Sequence, residues 1–484
     1  MKKRTYKIIG FAALLFLVSA CDEFLNVNVN PNSTTAPPAK TILAGVTTEI
    51  AFHMGSDIHR FSSEWVQQFT GGGNSGTQTV EYGHYNVTAT DLNNCWRGGV
   101  WGDALSDLQK LRDLTQEKSP RYAGIAKICQ AFMFSIAVDA WGDIPFSEAL
   151  QYDKNVRPKF DKSSDVYTAL FALIDSGIAD LSATTQLFPT ADDLIYGGSA
   201  TLWTKFANTL KLRMLIKYYP TNSTFADTQI AALLASGGPF MTANTDQFQM
   251  GFDVLTNRTN AIDQFERQRA NQFWPTTTLV DMMNLSNDPR RPFFFSLAAG
   301  VYSGMAPGII ITNPATSRHH VYLRGAVSTG GPTGYAGDAP QRMLTFAEHN
   351  FNLAEYYLRS GQLALAQTAF TNGITANMND ATVTAANRNI YLTTNATLSG
   401  TFATALQQII TEKYIANFGV AVQPWSDWRR TGFPVLAPAI GAVLPKIPRI
   451  LPYSDIERTT NPDNTPVRET TDLVKSNVFW DPGA

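Results

Sequence analysis

Apolar residues recur at helical spacing along most of the chain. Ile42, Val46, Ile50 and Ala51 fall on one face of a helix that starts near Thr41. A second candidate carries Trp65, Gln68 and Phe69, and the run Gly71-Gly72-Gly73-Asn74-Ser75-Gly76 ends it. Two stronger stripes follow, Trp101, Leu105, Leu108 and Leu111 on one helix and Ile125, Ala126, Cys129, Phe132, Ile136, Ala137 and Ala140 on the next. These two are expected to pack antiparallel. Another pair spans Val166 to Leu181 and Ser199 to Tyr218, with Ser199 as N-cap and Pro220 as the stop.

From about 221 to 340 the period breaks into Gly, Pro, Asn, Thr and scattered aromatics, apart from short helical candidates at Ile230 to Leu234 and Leu279 to Met283. This section reads as a loop-rich insertion, and loops laid over a packed scaffold are where binding residues concentrate. Order resumes with Leu353, Ala354, Tyr357, Ala366, Phe370 and Gly373 around a Ser360-Gly361 turn. That spacing resembles a tetratricopeptide helix pair, small residues standing where helices cross closely and large ones filling the gap. Met378 stands where the repeat usually has its terminal proline, and a further helix runs from Phe402 to Phe418. The predicted fold class is mainly α: a tetratricopeptide-like helical-hairpin scaffold with a loop-rich insertion.

The N-terminus adds a location. Met1-Lys2-Lys3-Arg4, the apolar run Ile8 to Val18 and Leu17-Val18-Ser19-Ala20-Cys21 have the layout of a bacterial lipoprotein signal. Residues 1–20 are expected to be removed, Cys21 to be lipidated, residues 21–40 to form a polar tether and 41–484 to form the body. Two or more acyl chains anchor a protein stably where one does not. No later segment offers the roughly 18 uninterrupted apolar residues that a spanning helix needs, so the body is expected on one side of the membrane. Losing Lys2, Lys3, Arg4 and Lys7, with no acid, takes the formal net charge from −2 to −6. A chain of that sign is not expected to bind nucleic acid. Hydrophobic residues make up 44% of the sequence, enough for a large core. Cys95 and Cys129 would remain, and Cys129 lies on an apolar stripe, so buried free thiols are expected rather than a bridge.

Catalytic signals are weak. Asp192-Asp193 and Asp22-Glu23 say nothing about the fixed carboxylate separation that a glycosidase needs. His319-His320 reads as a solvated loop, no HExxH occurs, and Gly71 to Gly76 lacks the following Lys-Ser/Thr of a phosphate loop. No catalytic residue, metal site or cofactor is expected.

The most specific motif is Asp139-Ala140-Trp141-Gly142-Asp143-Ile144-Pro145-Phe146-Ser147-Glu148-Ala149, where a helix ends at glycine and leaves through a proline turn. Glu412-Lys413-Tyr414, Trp425-Ser426-Asp427-Trp428-Arg429-Arg430 and Pro448-Arg449-Ile450-Leu451-Pro452-Tyr453, followed by Glu457 and Asn461, support it. With the lipoprotein signal, these residues resemble the SusD/RagB family of outer-membrane nutrient-binding lipoproteins over most of the mature chain. The resemblance implies a lid over a SusC-like TonB-dependent transporter that captures oligosaccharides, or in some members peptides, for import. A protein-interaction scaffold is the other reading; it would expose aromatics on the concave repeat surface rather than in the loops.

Sugar sites combine aromatic platforms with amide or carboxylate hydrogen bonds. The resemblance directs the search to loops early in the scaffold and to the insertion. Gly71 to Trp96 holds Tyr82, His84, Tyr85, Asp91, Asn93, Asn94 and Trp96, and the insertion holds Trp274, Tyr302 and Tyr322. The candidate ligand contacts are therefore Tyr82, Tyr85, Trp96, Trp274, Tyr302 and Tyr322. Trp65, Trp101, Trp141 and Trp203 are assigned to packing, and Asp427 with Arg430 to a local, fold-maintaining ion pair.

Overall fold

The helix Pro120–Trp141 is apolar on all sides, and every residue from Tyr122 onward is buried. Pro120 sits in its first turn, where no intrahelical N–H is lost. The chain turns out at Gly142, whose φ of 75° with ψ of −116° only glycine adopts readily. By length and composition this helix could cross a membrane, yet it lies wholly inside the protein, as a core helix does. The computed structural model describes residues 37–483, apart from 186, 256–257, 330–333 and 477. The leader, Cys21 and most of the tether fall outside the described residues.

Helices pack around this core in successive hairpins. Pro120–Trp141 lies against Ser106–Thr115 and, along most of its length, against Ser163–Leu181. The second crossing is tight because Gly124 and Gly177 face each other: a Cβ on Gly124 would lie 2.7 Å from the Gly177 carbonyl oxygen. Ala200–Ile216 follows, with the Ser199 hydroxyl accepting the Leu202 N–H at 3.3 Å as the expected N-cap, and then Ser223–Ala235. The tetratricopeptide-like pair is Phe346–Arg359 and Leu363–Asp380, turning at Ser360-Gly361. Ala385–Asn395, Phe402–Ala416 and Gln423–Thr431 complete the scaffold.

Several boundaries differ from the sequence reading. The helix Asp57–Trp65 stops before Phe69, which begins the strand Phe69–Gly71. That strand pairs antiparallel with Phe273–Pro275, Thr70 opposite Trp274, so the glycine-rich run is stitched to the insertion. The Trp101 stripe starts as a π-helix, Asn94–Leu105, and becomes α-helical only at Ser106. The insertion holds the two short helices expected, Ser223–Ala235 and Thr277–Leu285, and others that the apolar period did not reveal: the single turns Arg291–Phe294 and Val321–Arg324, and the longer Ala261–Gln268. Its buried face carries Asp263 and Glu266, paired with Arg324 and His319. His319 is therefore fully buried rather than solvated, while His320 points the other way to the Tyr335 hydroxyl at 2.7 Å. Cys95 and Cys129 are free and buried, and burial raises both thiol pKa values.

Candidate functional site

A cleft of about 290 Å³ opens where the helix that follows the tether meets the insertion. The helix Ala39–Met54 buries Ile42, Val46 and Ile50, which turns Phe52 to solvent at the helix end, 39% exposed. His53 beside it faces Gly99 of the π-helix, where a Cβ would come within 3.1 Å of the imidazole Nδ1. One extra residue per turn is what a π-helix adds, and such bulges recur at functional sites. Here it brings Asn94, exposed, and Gly99 to the cleft wall. The far wall is Ala261–Gln268, which contributes Gln264, Phe265, Gln268 and the residue after it, Arg269.

The floor is polar and only partly paired. Arg60 is buried, pairs with Asp57 one turn earlier, and lies 4.2 Å from the centre of the Phe265 ring. Its Nε has no hydrogen-bond partner among the described residues. Arg269 stands 5.2 Å from the same ring centre. Gln264 donates an amide N–H to the Thr259 carbonyl at 2.6 Å, and its oxygen accepts no hydrogen bond among the described residues. His53 Nε2 lies 3.5 Å from Asp103; burial lowers its pKa although Asp103 opposes the shift. One turn back, burial and the charges of Asp107 and Asp103 push Glu49 up to about 7.

Of the six aromatics proposed from the sequence, five are packed inside. Tyr82 is 1% exposed, its ring 4.3 Å from Phe61. The Tyr85 hydroxyl accepts the Ala439 N–H at 2.8 Å. Trp96 stacks on Trp101 at 4.0 Å and donates its indole N–H to Glu457 at 3.1 Å. Trp274 is covered by the Arg318 guanidinium at 4.3 Å and bonds the Asn271 carbonyl. Tyr322 lies under Arg342 at 3.8 Å and donates to Asp380 at 3.1 Å. Their rings offer no open face in this conformation, since each is taken by a neighbouring ring, a guanidinium or close packing. Tyr302 alone stays partly exposed, 5.5 Å from Arg291, beside a second hollow of about 420 Å³ that Arg291 and Asn387 line. Trp65, Trp141 and Trp203 are core residues as expected, and Trp101 is half-buried under Trp96.

Of the residues the sequence had named in its binding segments, Asn94 lines the cleft, and Gln264, Phe265, Gln268 and Arg269 come from the insertion to which it had pointed without naming them. Phe52 was missed, though it carried a signal: an aromatic off the apolar stripe of its own helix. Asp427 and Arg430 pair at 2.7 Å and continue to Glu355 and Lys413, all buried. They hold two helices and the end of a third together.

No curated protein matches the sequence. Among solved structures, a chitin-binding SusD homologue from Flavobacterium johnsoniae superposes with a TM-score of 0.77 at 20% identity, covering 92% of this chain and 99% of that one. A SusD/RagB family protein from Bacteroides thetaiotaomicron gives 0.74 at 22% identity, over 93% and 100%. A SusD homologue from Bacteroides uniformis gives 0.72 at 21%, over 92% and 99%. At these identities the likeness establishes the shared helical fold. Residues 31–453 match the SusD-like family described as starch-binding and associating with the outer membrane. The chain belongs to that SusD-like family of outer-membrane-associated binding proteins.

Proposed function

We propose that this protein captures an oligosaccharide in the cleft between Phe52 and Gln268, held at the cell surface by lipid on Cys21, for import by a SusC-like TonB-dependent transporter. The observation that carries the reading is the cleft itself. An exposed phenyl ring lines the same cleft as the wall amides Asn94, Gln264 and Gln268, whose donors or acceptors are not all spent among the described residues. Sugar rings present apolar faces edged with hydroxyls, which is the complement of that wall. The chitin-binding description of a structurally similar protein agrees with a glycan ligand.

The geometry also suits a tether. The helix Ala39–Met54 is 16 residues long, so its N-terminal end, where the tether joins, lies about 24 Å from the cleft. Lipid at Cys21 would confine the lid near its transporter and raise effective concentration without a new contact. Binding is reversible and leaves the ligand chemically unchanged.

Calorimetric titration of a panel of glycans and peptides tests the ligand class. Phe52→Ala and Gln268→Ala should each weaken glycan binding about tenfold, whereas Tyr302→Ala with Asn387→Ala should not. The reverse pattern moves the site to the second hollow. Peptides binding where glycans do not would favour the peptide-capturing reading. Cys21→Ser should release the protein from membranes; a cleaved variant that stays in the membrane fraction refutes the anchor. Co-purification with a large outer-membrane barrel tests the partner.

A further inference from the structure

We infer that the cleft selects an acidic oligosaccharide, one whose anionic substituent, a uronate carboxylate or a sulfate ester, is bound by Arg269; this rests on the glycan reading above. Two guanidiniums, Arg60 and Arg269, share the ring of Phe265 at 4.2 and 5.2 Å. Only one carboxylate, Asp57, lines the cleft with them, and it is committed to Arg60. Arg269 makes no side-chain hydrogen bond or ion pair among the described residues. Asp103 faces His53 and does not line the cleft, and His53 carries no compensating negative charge.

The cleft thus holds one more cation than anion, next to amides suited to hydroxyls. Like charges on one ring repel, and the cost falls when an anion joins them. Phe265 is 5% exposed, whereas Arg269, stacked 5.2 Å from its ring centre, is itself exposed at the rim, where its N–H donors can be reached. A guanidinium offers paired N–H donors in the plane that matches a carboxylate, and charge-assisted bonds of this kind are about twice as strong as neutral ones. Arg60, nine-tenths buried and with its Nε unpartnered, stiffens the floor and adds to the positive potential. A neutral glycan would leave that potential unanswered.

The test uses the full mature protein and four probes: an oligogalacturonate, its methyl ester, a sulfated oligosaccharide and a neutral chito-oligosaccharide. An acidic probe should bind about tenfold more tightly than the methyl ester or the chito-oligosaccharide. That preference should shrink as ionic strength rises from about 0.01 M to about 0.15 M. Arg269→Gln should abolish it while leaving the melting temperature unchanged, because the side chain is exposed, and Arg269→Lys should restore part of it. Whichever acidic probe leads separates carboxylate from sulfate. Equal affinity for the acid and its ester, or a preference that survives Arg269→Gln, overturns the inference. If neutral glycans then bind with a dependence on Phe52, glycan capture stands without it; if no oligosaccharide binds at all, both fall.

Discussion

Trp141 donates its indole N–H to the carbonyl of Pro452 at 3.0 Å. The two residues belong to the two motifs that most resemble the SusD family, far apart in sequence, and the fold seats one upon the other. Around this contact the Leu451 N–H bonds the Ala140 carbonyl at 2.9 Å, and the Tyr453 hydroxyl donates to the Asp143 carbonyl at 2.7 Å. Asp139, one turn before, accepts from the Tyr167 hydroxyl at 2.5 Å and from the Trp480 indole at 3.1 Å, and pairs with Lys217. The motifs close the C-terminal segment onto the end of the core helix. Their role is to latch the scaffold, and the cleft lies elsewhere.

Replacing Tyr453 by Phe removes the hydroxyl but keeps the ring against Trp96 and Phe160. It leaves the Asp143 carbonyl short of a buried donor, so chemical denaturation should show a loss of about 1–2 kcal/mol. Affinity for any ligand should stay as it was. A Tyr453→Phe protein of full stability but weakened binding would place this latch in the site instead.

Gly373 sits where the two tetratricopeptide-like helices cross, and a Cβ there would come 2.8 Å from the Phe351 ring. Gly373→Ala should therefore cost about 1–3 kcal/mol despite alanine's better helix propensity. Adding Phe351→Leu should recover part of that loss, because the obstacle is a side chain. Urea unfolding of the single and double variants checks both statements; a stabilising Gly373→Ala would mean that the helices do not approach this closely.

What the sequence disclosed and what it hid follow one physical distinction. Helices whose buried face is apolar were legible: Ile125 to Ala140 and Leu170 to Ile178 lie where their stripes placed them. Ala261–Gln268 and Gln423–Thr431 were not, because their inward faces carry Asp263, Glu266, Asp427 and Arg430, matched by partners distant in sequence. A hydropathy period cannot see a charge neutralised from another helix. The site was harder still. Aromatic residues in loops suggested platforms, but Trp96 and Trp274 are covered by Trp101 and Arg318, which no local pattern could reveal. The cleft arises where residues near 52, 94 and 268 converge, and one wall depends on a π-helix that a period of 3.6 reads as ordinary.

Arg430 donates two bonds to Glu355, at 2.6 and 2.5 Å, and two to Asp427, at 2.9 and 2.7 Å. Burial alone would raise the Asp427 pKa, but Lys413 and Arg430 hold it down at about 2. Arg430→Met strands two buried carboxylates with fewer cations, and a loss of about 3–5 kcal/mol is expected. The double variant Arg430→Met, Glu355→Leu should recover a large share, since that pair of charges then leaves together and Asp427 keeps Lys413 at 2.9 Å. If the double variant is no better than the single one, the network contributes more than the relief of its own desolvation.

Glu49 gives the protein a stability term that worsens as pH rises. Burial first, and then repulsion from Asp107 and Asp103, lifts its pKa from 4.5 to about 7. Between those values the unfolded chain gives up the proton while the folded chain keeps it, so stability falls through this window as pH increases. The cost is complete above about pH 7 and absent below about pH 4.5. Glu49→Gln abolishes the titration and keeps a similar shape. Because the group is only half-buried, solvent screening reduces the expected gain to about 1 kcal/mol at about pH 8, with none at about pH 4. Thermal melts of both proteins across that range decide the matter. A gain that is equal at both ends would show that Glu49 acts through packing rather than through its proton.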